Sequence, residues 1–163
     1  VGAAKAVRGG GVKARRANKR VIRCALALTA VRETFEETGL ILGRPAPRAS
    51  VAGPWREYRQ AGALPDLSVL SYIARAITPP GRTRRFDARF FMAPAKALLS
   101  PEPTAGSGEL DEIAWIPLDE TRSLDLPAIT RFVLGEVRAR LTDSDLPPPF
   151  VRMVRGRHLV TRA

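Results

Sequence analysis

Arg32-Glu33-Thr34-Phe35-Glu36-Glu37-Thr38-Gly39-Leu40 sets three carboxylates at spacings of three and four, with an arginine ahead and a glycine behind. On a helix each residue turns by about 100°, so Glu33, Glu36 and Glu37 share one face. Leu28, Val31 and Phe35 fall on roughly the opposite face, and Cys24 and Ala27 extend that stripe back one turn. The spacing predicts a helix that begins near Ala17–Val21, ends at Thr38 and is anchored by its apolar side. Gly39 stands at the C′ position, where glycine alone takes the left-handed conformation cheaply. Like charges four residues apart repel, and Glu37 lies near the negative end of the helix dipole. Such a run is either a solvated acidic face or a set of ligands gathered for a cation.

Working outward, Pro45 and Pro47 mark a loop, and Trp55 to Gln60 is expected to form a short helical turn ended by Gly62 and Pro65. Leu67 to Thr78 is rich in β-formers, and Arg85 to Ala93 alternates, with Phe86, Ala88, Phe90 and Met92 on one side and Asp87, Arg89 and Phe91 on the other. Pro79-Pro80-Gly81 between them cannot continue a ladder, so the two runs are predicted to form an antiparallel hairpin. A short strand is expected around Ile113-Ala114-Trp115-Ile116. Asp125 is a candidate N-cap for a helix carrying Ile129, Phe132, Val133, Val137 and Leu141. A last hairpin is expected from Val151–Val154 and His158–Thr161 across Arg155-Gly156-Arg157. Residues 1–20 hold Ala, Gly, Arg and Lys with hardly any large apolar side chain, and are expected to be a flexible basic arm. The arm resembles a transit peptide in its charge but has no serine, and is read as a truncated start. Residues 21–163 are then expected to be one domain.

Composition narrows the chemistry. The chain has 163 residues and a formal charge of +11, with 27 Lys and Arg against 16 Asp and Glu. No acidic residue precedes Glu33. The charge fits a polyanionic partner (nucleic acid, anionic lipid or a phosphorylated small molecule) or a plain bias toward arginine. Cys24 is the only cysteine, which excludes an intrachain disulfide and a four-cysteine zinc site and points to a reducing, cytoplasmic setting. His158 is the only histidine, which argues against a histidine-based triad. No apolar run approaches a membrane span, so no membrane partner is expected. The oligomeric state is not legible.

A hard divalent cation takes oxygen ligands and keeps several waters, so a few carboxylates plus substrate phosphates suffice to hold it. Glu36 and Glu37 reach neighbouring positions around one ion, Glu33 lies a turn earlier, and Arg32 stands four residues before Glu36, within pairing distance. The string also resembles the core of the Nudix box, Gly-x5-Glu-x7-Arg-Glu-U-x-Glu-Glu-x-Gly-U, with Thr34 at a position where the family carries a bulky apolar residue. Outside the box, Ala74 to Pro80, Arg85-Phe86-Asp87 with Phe90-Phe91, and Glu109-Leu110-Asp111-Glu112 with Trp115 and Pro117 are similar to the coenzyme A diphosphatase-like branch of that superfamily and its bacterial relatives. The likeness spans roughly Ala25 to Leu141.

The resemblance implies an α/β fold, a Nudix-like α/β/α sandwich with a mixed sheet. It implies a hydrolase dependent on magnesium or manganese that cleaves a nucleoside diphosphate linked to another moiety, a phosphorylated small molecule. By position Glu36 and Glu37 match the metal ligands, Glu33 the residue that binds or orients the metal, and Arg32 the one that positions the acids. Glu109, or else Glu112, would be the further loop carboxylate. The chain departs from the family upstream: the box places a glutamate at position 24 and a glycine at 18, where Cys24 and Asn18 stand. Gly10-Gly11 is a poor candidate for the displaced glycine turn, and the strands that precede the box in the family are expected to be missing. Two other readings stay open: a non-catalytic basic module that binds nucleic acid through residues 1–23, and an inactive Nudix fragment.

Among the remaining residues, Cys24 is expected to be a small buried hydrophobe, His158 exposed, and Trp55 and Trp115 core or cleft-wall residues. Trp55 or Tyr58 is a candidate for stacking on a base. Arg82, Arg84 and Arg85 either grip substrate phosphates or form a solvated hairpin tip.

Overall fold

The computed structural model of the chain describes residues 5–7, 19–103 and 112–162, with side chains from residue 21 onward. The elements run β1 (Lys5–Val7), α1 (Lys19–Thr38), β2 (Gly43–Pro45), α2 (Arg56–Gln60), β3 (Ala63–Pro65), β4 (Ser71–Ile77), β5 (Asp87–Met92), α3 (Ala128–Thr142), β6 (Pro149–Val154) and β7 (Arg157–Arg162). Helices alternate with one mixed and one antiparallel sheet, which makes this an α/β protein. Two compact units can be told apart, each built from separated stretches of chain.

The first unit holds α1, β2, α2 and β3 together with residues 93–103 and 112–115. No glycine or proline interrupts α1, and the hydroxyls of Thr29, Thr34 and Thr38 donate back to the carbonyls of Ala25, Ala30 and Thr34. Its buried side is short. Ala27, Ala30 and Val31 are buried, whereas Val21, Ile22, Cys24 and Ala25 in the first turns are exposed. Cys24 is therefore not the buried hydrophobe that the periodicity suggested, because the stripe runs further back than the residues packing against it. Val31 and Phe35 join Leu42, Tyr58, Ala63 and Ala93 in one apolar cluster. Tyr58 is its centre: fully buried, it donates to the Leu42 carbonyl at 2.7 Å and meets Phe35 and Trp55 edge-on, each with ring centroids 5.2 Å apart. That burial closes Tyr58 to base stacking and leaves Trp55 as a wall of the cluster.

The ladder of β2 with β3 lies in stretches where the prolines predicted only loops. Pro45 and Pro65 are tolerated because the ladder has only two strands, so each strand has a free edge. Residues Leu67–Val69 form a 3₁₀ turn where a strand was expected. The Asp66 carboxylate accepts from the Ser68 N–H (2.9 Å) and hydroxyl (2.6 Å), diverting the backbone from a ladder and holding Asp66 below its ordinary carboxylate range. Residues 112–117 form no strand either: Trp115 is 45% exposed and its indole N–H donates to the Pro101 carbonyl at 2.7 Å. Trp115 is thus not a core residue.

The second unit is a five-stranded mixed sheet ordered β1-β5-β4-β6-β7, with α3 on one face. β4 and β5 form the expected antiparallel hairpin, with a register shift between Tyr72 and Ala74. Lys5–Val7, inside the stretch expected to be a basic arm, pairs with Arg89–Phe91 at the sheet edge; residues 1–4 and 8–18 lie outside the described residues. β4 and β6 run parallel, Arg75 opposite Phe150. β6 and β7 are joined by Arg155-Gly156, whose φ of 48° and 76° match a type I′ turn, so Arg157 pairs with Val154 instead of sitting in the loop.

Ile129, Phe132, Val133 and Val137 bring the apolar stripe of α3 onto Ile73, Ala74, Ala76, Phe90 and Val151. Its N-cap is Pro127, not Asp125, which faces Arg131 at 4.0 Å. Glu136 is a buried acid, held by a two-pronged ion pair from Arg162 at 2.7 and 2.9 Å.

Candidate functional site

The acidic stretch is the C-terminal half of α1. The helix ends where expected: Gly39 has a φ of 70° and its N–H donates to the Phe35 carbonyl at 2.8 Å. Phe35 and Val31 go to the apolar cluster, so Glu33, Glu36 and Glu37, on the other side, are half-exposed. Arg32 sits among them. Its guanidinium is hydrogen-bonded to Glu36 Oε2 and stands 3.7 Å from Glu33 Oε1. The pairing anticipated between Arg32 and Glu36 is present, and it relieves part of the repulsion that three carboxylates on one face create.

Thr34, at the position where the family has a bulky apolar residue, bonds its hydroxyl to Ala30 at 2.8 Å and is half-buried. Of the loop carboxylates, Glu109 lies outside the described residues and Glu112 is exposed. Arg82, Arg84 and Arg85 are exposed at the tip of the β4–β5 hairpin, Arg85 Nε donating to the Thr78 carbonyl at 3.2 Å. His158 is exposed on β7, as expected.

Among the described residues, no three His, Cys, Asp or Glu side chains stand close enough together to hold a metal ion as they lie. The donor set nevertheless fits a hard cation in kind. Glu33, Glu36 and Glu37 offer carboxylate oxygens only, and a carboxylate that gives one oxygen to an arginine keeps the other to offer. The exposure of that face leaves room for waters and a phosphate to complete a shell. None of the described helices is long and apolar enough to cross a membrane.

Sequence reasoning missed a second set of charged residues. Arg75 on β4 holds Asp87 on β5 by two hydrogen bonds of 2.8 Å, and Arg89 reaches the same carboxylate at 2.9 Å. Burial alone would raise the Asp87 pKa, but Arg75 and Arg89 outweigh it and hold the group below the usual carboxylate range. The alternation of β5 put Asp87 and Arg89 on one side, but their partner on β4 could not be read until the register was fixed. No family model, curated protein or solved structure matches the chain.

Proposed function

We propose that the chain is a Nudix-type pyrophosphohydrolase that uses magnesium or manganese to cleave a nucleoside diphosphate linked to another moiety, and that its fold is a Nudix-like sandwich. One observation carries the proposal: Arg32 to Thr38 lie on one helix that Gly39 closes, with the acids on one side, Phe35 packed on the other and the arginine bound to Glu36. A reducing, cytoplasmic setting goes with this reading, supported by the single cysteine.

In this proposal Glu36 and Glu37 would hold the ion, with Glu33 supporting them. Bound there, the cation would neutralise charge developing on phosphoryl oxygens during attack by water. Arg32 acts as a positioning residue, since its bond to Glu36 restricts the rotamers of that carboxylate and leaves one oxygen for the metal. Val31 and Phe35 fix the helix by their burial, so the acids are presented by a rigid element instead of a loop.

The test is a panel of diphosphates (coenzyme A esters, NADH, nucleotide sugars and oxidised nucleotides) incubated with Mg²⁺ or Mn²⁺ and assayed for released nucleoside monophosphate. Turnover of at least one substrate is expected, abolished by chelation and lost in Glu36→Gln. No turnover with either metal, or full turnover by Glu36→Gln, would remove the proposal.

A further inference from the structure

Among the described residues of the second unit, α3 packs on one face of the five-stranded sheet, and the residues on its other face share a chemistry. Strand alternation and cross-strand contacts put Asp87, Arg89 and Phe91 of β5 there, with Tyr72 opposite Phe91 and Arg75 bound to Asp87. Phe150 stands opposite Arg75, and Arg152 follows two residues along β6. On β7, Leu159 is opposite Arg152, and Arg157 pairs with Val154 at the hairpin end.

Two aromatic groups are thus set among guanidinium groups. The Tyr72 and Phe91 rings lie 5.7 Å apart, and Arg75 and Arg152 stand 4.4 and 5.2 Å from the Phe150 ring centroid. Tyr72 is 39% exposed and Leu159 38% exposed, while Arg152 and Arg157 are exposed at the same surface. Asp87 brings negative charge to these positions, but Arg75 and Arg89 both bind it. The surplus is positive, and it continues into the hairpin, because no acidic residue follows Asp145 while Arg152, Arg155 and Arg157 do.

A surface of rings between fixed cations complements a polyanion that also offers flat π-faces. Free phosphate or lipid headgroups would use the arginines and leave the rings without a role. A duplex keeps its bases stacked inside. A single strand offers both bases and phosphates at once. We propose that this sheet face binds single-stranded nucleic acid, with a base stacking on Tyr72 beside Phe91 and phosphates held by Arg152 and Arg157. This surface belongs to another part of the chain than the acidic helix, and the inference does not depend on the hydrolase reading.

The experiment is fluorescence anisotropy of a labelled mixed-sequence single strand of about one dozen nucleotides, titrated with the full chain over a range of salt. Single strands should bind more tightly than the matched duplex. Each phosphate contact contributes about 0.7 to the slope of log affinity against log salt, so Arg152→Ala/Arg157→Ala should lower that slope by about 1.4. Tyr72→Ala should weaken binding roughly 5- to 150-fold, as loss of one stacked base does, with Tyr72→Phe close to wild type. Arg82→Ala/Arg84→Ala removes equal charge at an exposed turn and should bind like wild type. Absence of binding at low salt, equal affinity for duplex, equal loss in that control, or full affinity of Tyr72→Ala would each overturn the proposal. The comparison of single strand with duplex needs no variant, so it decides the matter even if a substitution disturbs folding.

Discussion

Removing one oxygen atom from Tyr58 should change both the stability of the protein and the way that stability depends on pH. In Tyr58→Phe the ring contacts with Phe35 and Trp55 survive, but the Leu42 carbonyl loses its 2.7 Å donor in a fully buried position. Leaving a buried acceptor unsatisfied costs about 1–3 kcal/mol, and we take ~2 kcal/mol for the neutral protein. The hydroxyl also titrates. Burial pushes the Tyr58 pKa well above the ordinary tyrosine value, because phenolate is disfavoured in the apolar cluster.

The sign follows from counting protons. Below about pH 10 both folded and unfolded Tyr58 are protonated, and the contribution is fully present. Above that pH the unfolded chain releases the proton while the folded chain keeps it, so the wild type loses about 1.4 kcal/mol per pH unit through this group. Phenylalanine releases nothing. The gap between wild type and Tyr58→Phe should therefore be ~2 kcal/mol at pH 7, begin to close near pH 10 and vanish between about pH 11 and 12. Urea unfolding followed by tryptophan fluorescence measures it, since Trp55 packs against Tyr58 and reports on this cluster. Equal stability at pH 7, or a gap that stays constant from pH 9 to 11, would refute the argument.

Other outcomes follow from the same packing. A Cβ on Gly43 would run into the Leu64 carbonyl and come within 2.7 Å of the Tyr58 hydroxyl, so Gly43→Ala should destabilise by ~1–3 kcal/mol in the same urea assay. Arg162→Ala strands the buried Glu136 carboxylate; because Arg162 is itself 40% exposed, the loss should be about 2–3 kcal/mol by thermal or urea unfolding, below that of a fully buried pair. Asp87→Asn should lower the melting temperature above about pH 4, and the difference should fade as pH falls through the depressed folded-state value, because the wild-type carboxylate is then protonated too. A constant difference down to strong acid would remove the Arg75–Asp87–Arg89 cluster as its source.

Local signals were legible in the sequence, and non-local ones were not. α1 and its end could be read because Val31, Phe35 and Gly39 obey helical spacing and capping rules within one element. The β4–β5 hairpin was readable from alternation with a Pro-Pro-Gly turn, and the β6–β7 hairpin from its glycine turn. The β2–β3 ladder was hidden by its prolines, and the strand expected at 113–116 was suggested by an apolar run that pairs with nothing in either sheet. Cys24 misled because periodicity says which side of a helix is apolar, not how far along it the packing reaches. For the candidate site, the Arg32–Glu36 bond followed from a spacing of four. The Arg75–Asp87 bond needed a register with a shift at Tyr72, which no pattern in the chain announces.

The parallel pairing of β4 with β6 has a consequence for how the second unit assembles. Each hairpin closes a short loop, in one case only Arg155-Gly156, and can form on the microsecond scale. The strands that join the hairpins meet at Arg75 and Phe150, 75 residues apart, and closing a loop of that length costs roughly 4 kcal/mol of chain entropy before any contact offsets it. The seam between the two hairpins should therefore form after the hairpins themselves. While it stays open, β4 and β6 expose unpaired edges, and crowding or high concentration during refolding should divert the chain toward intermolecular pairing at those edges.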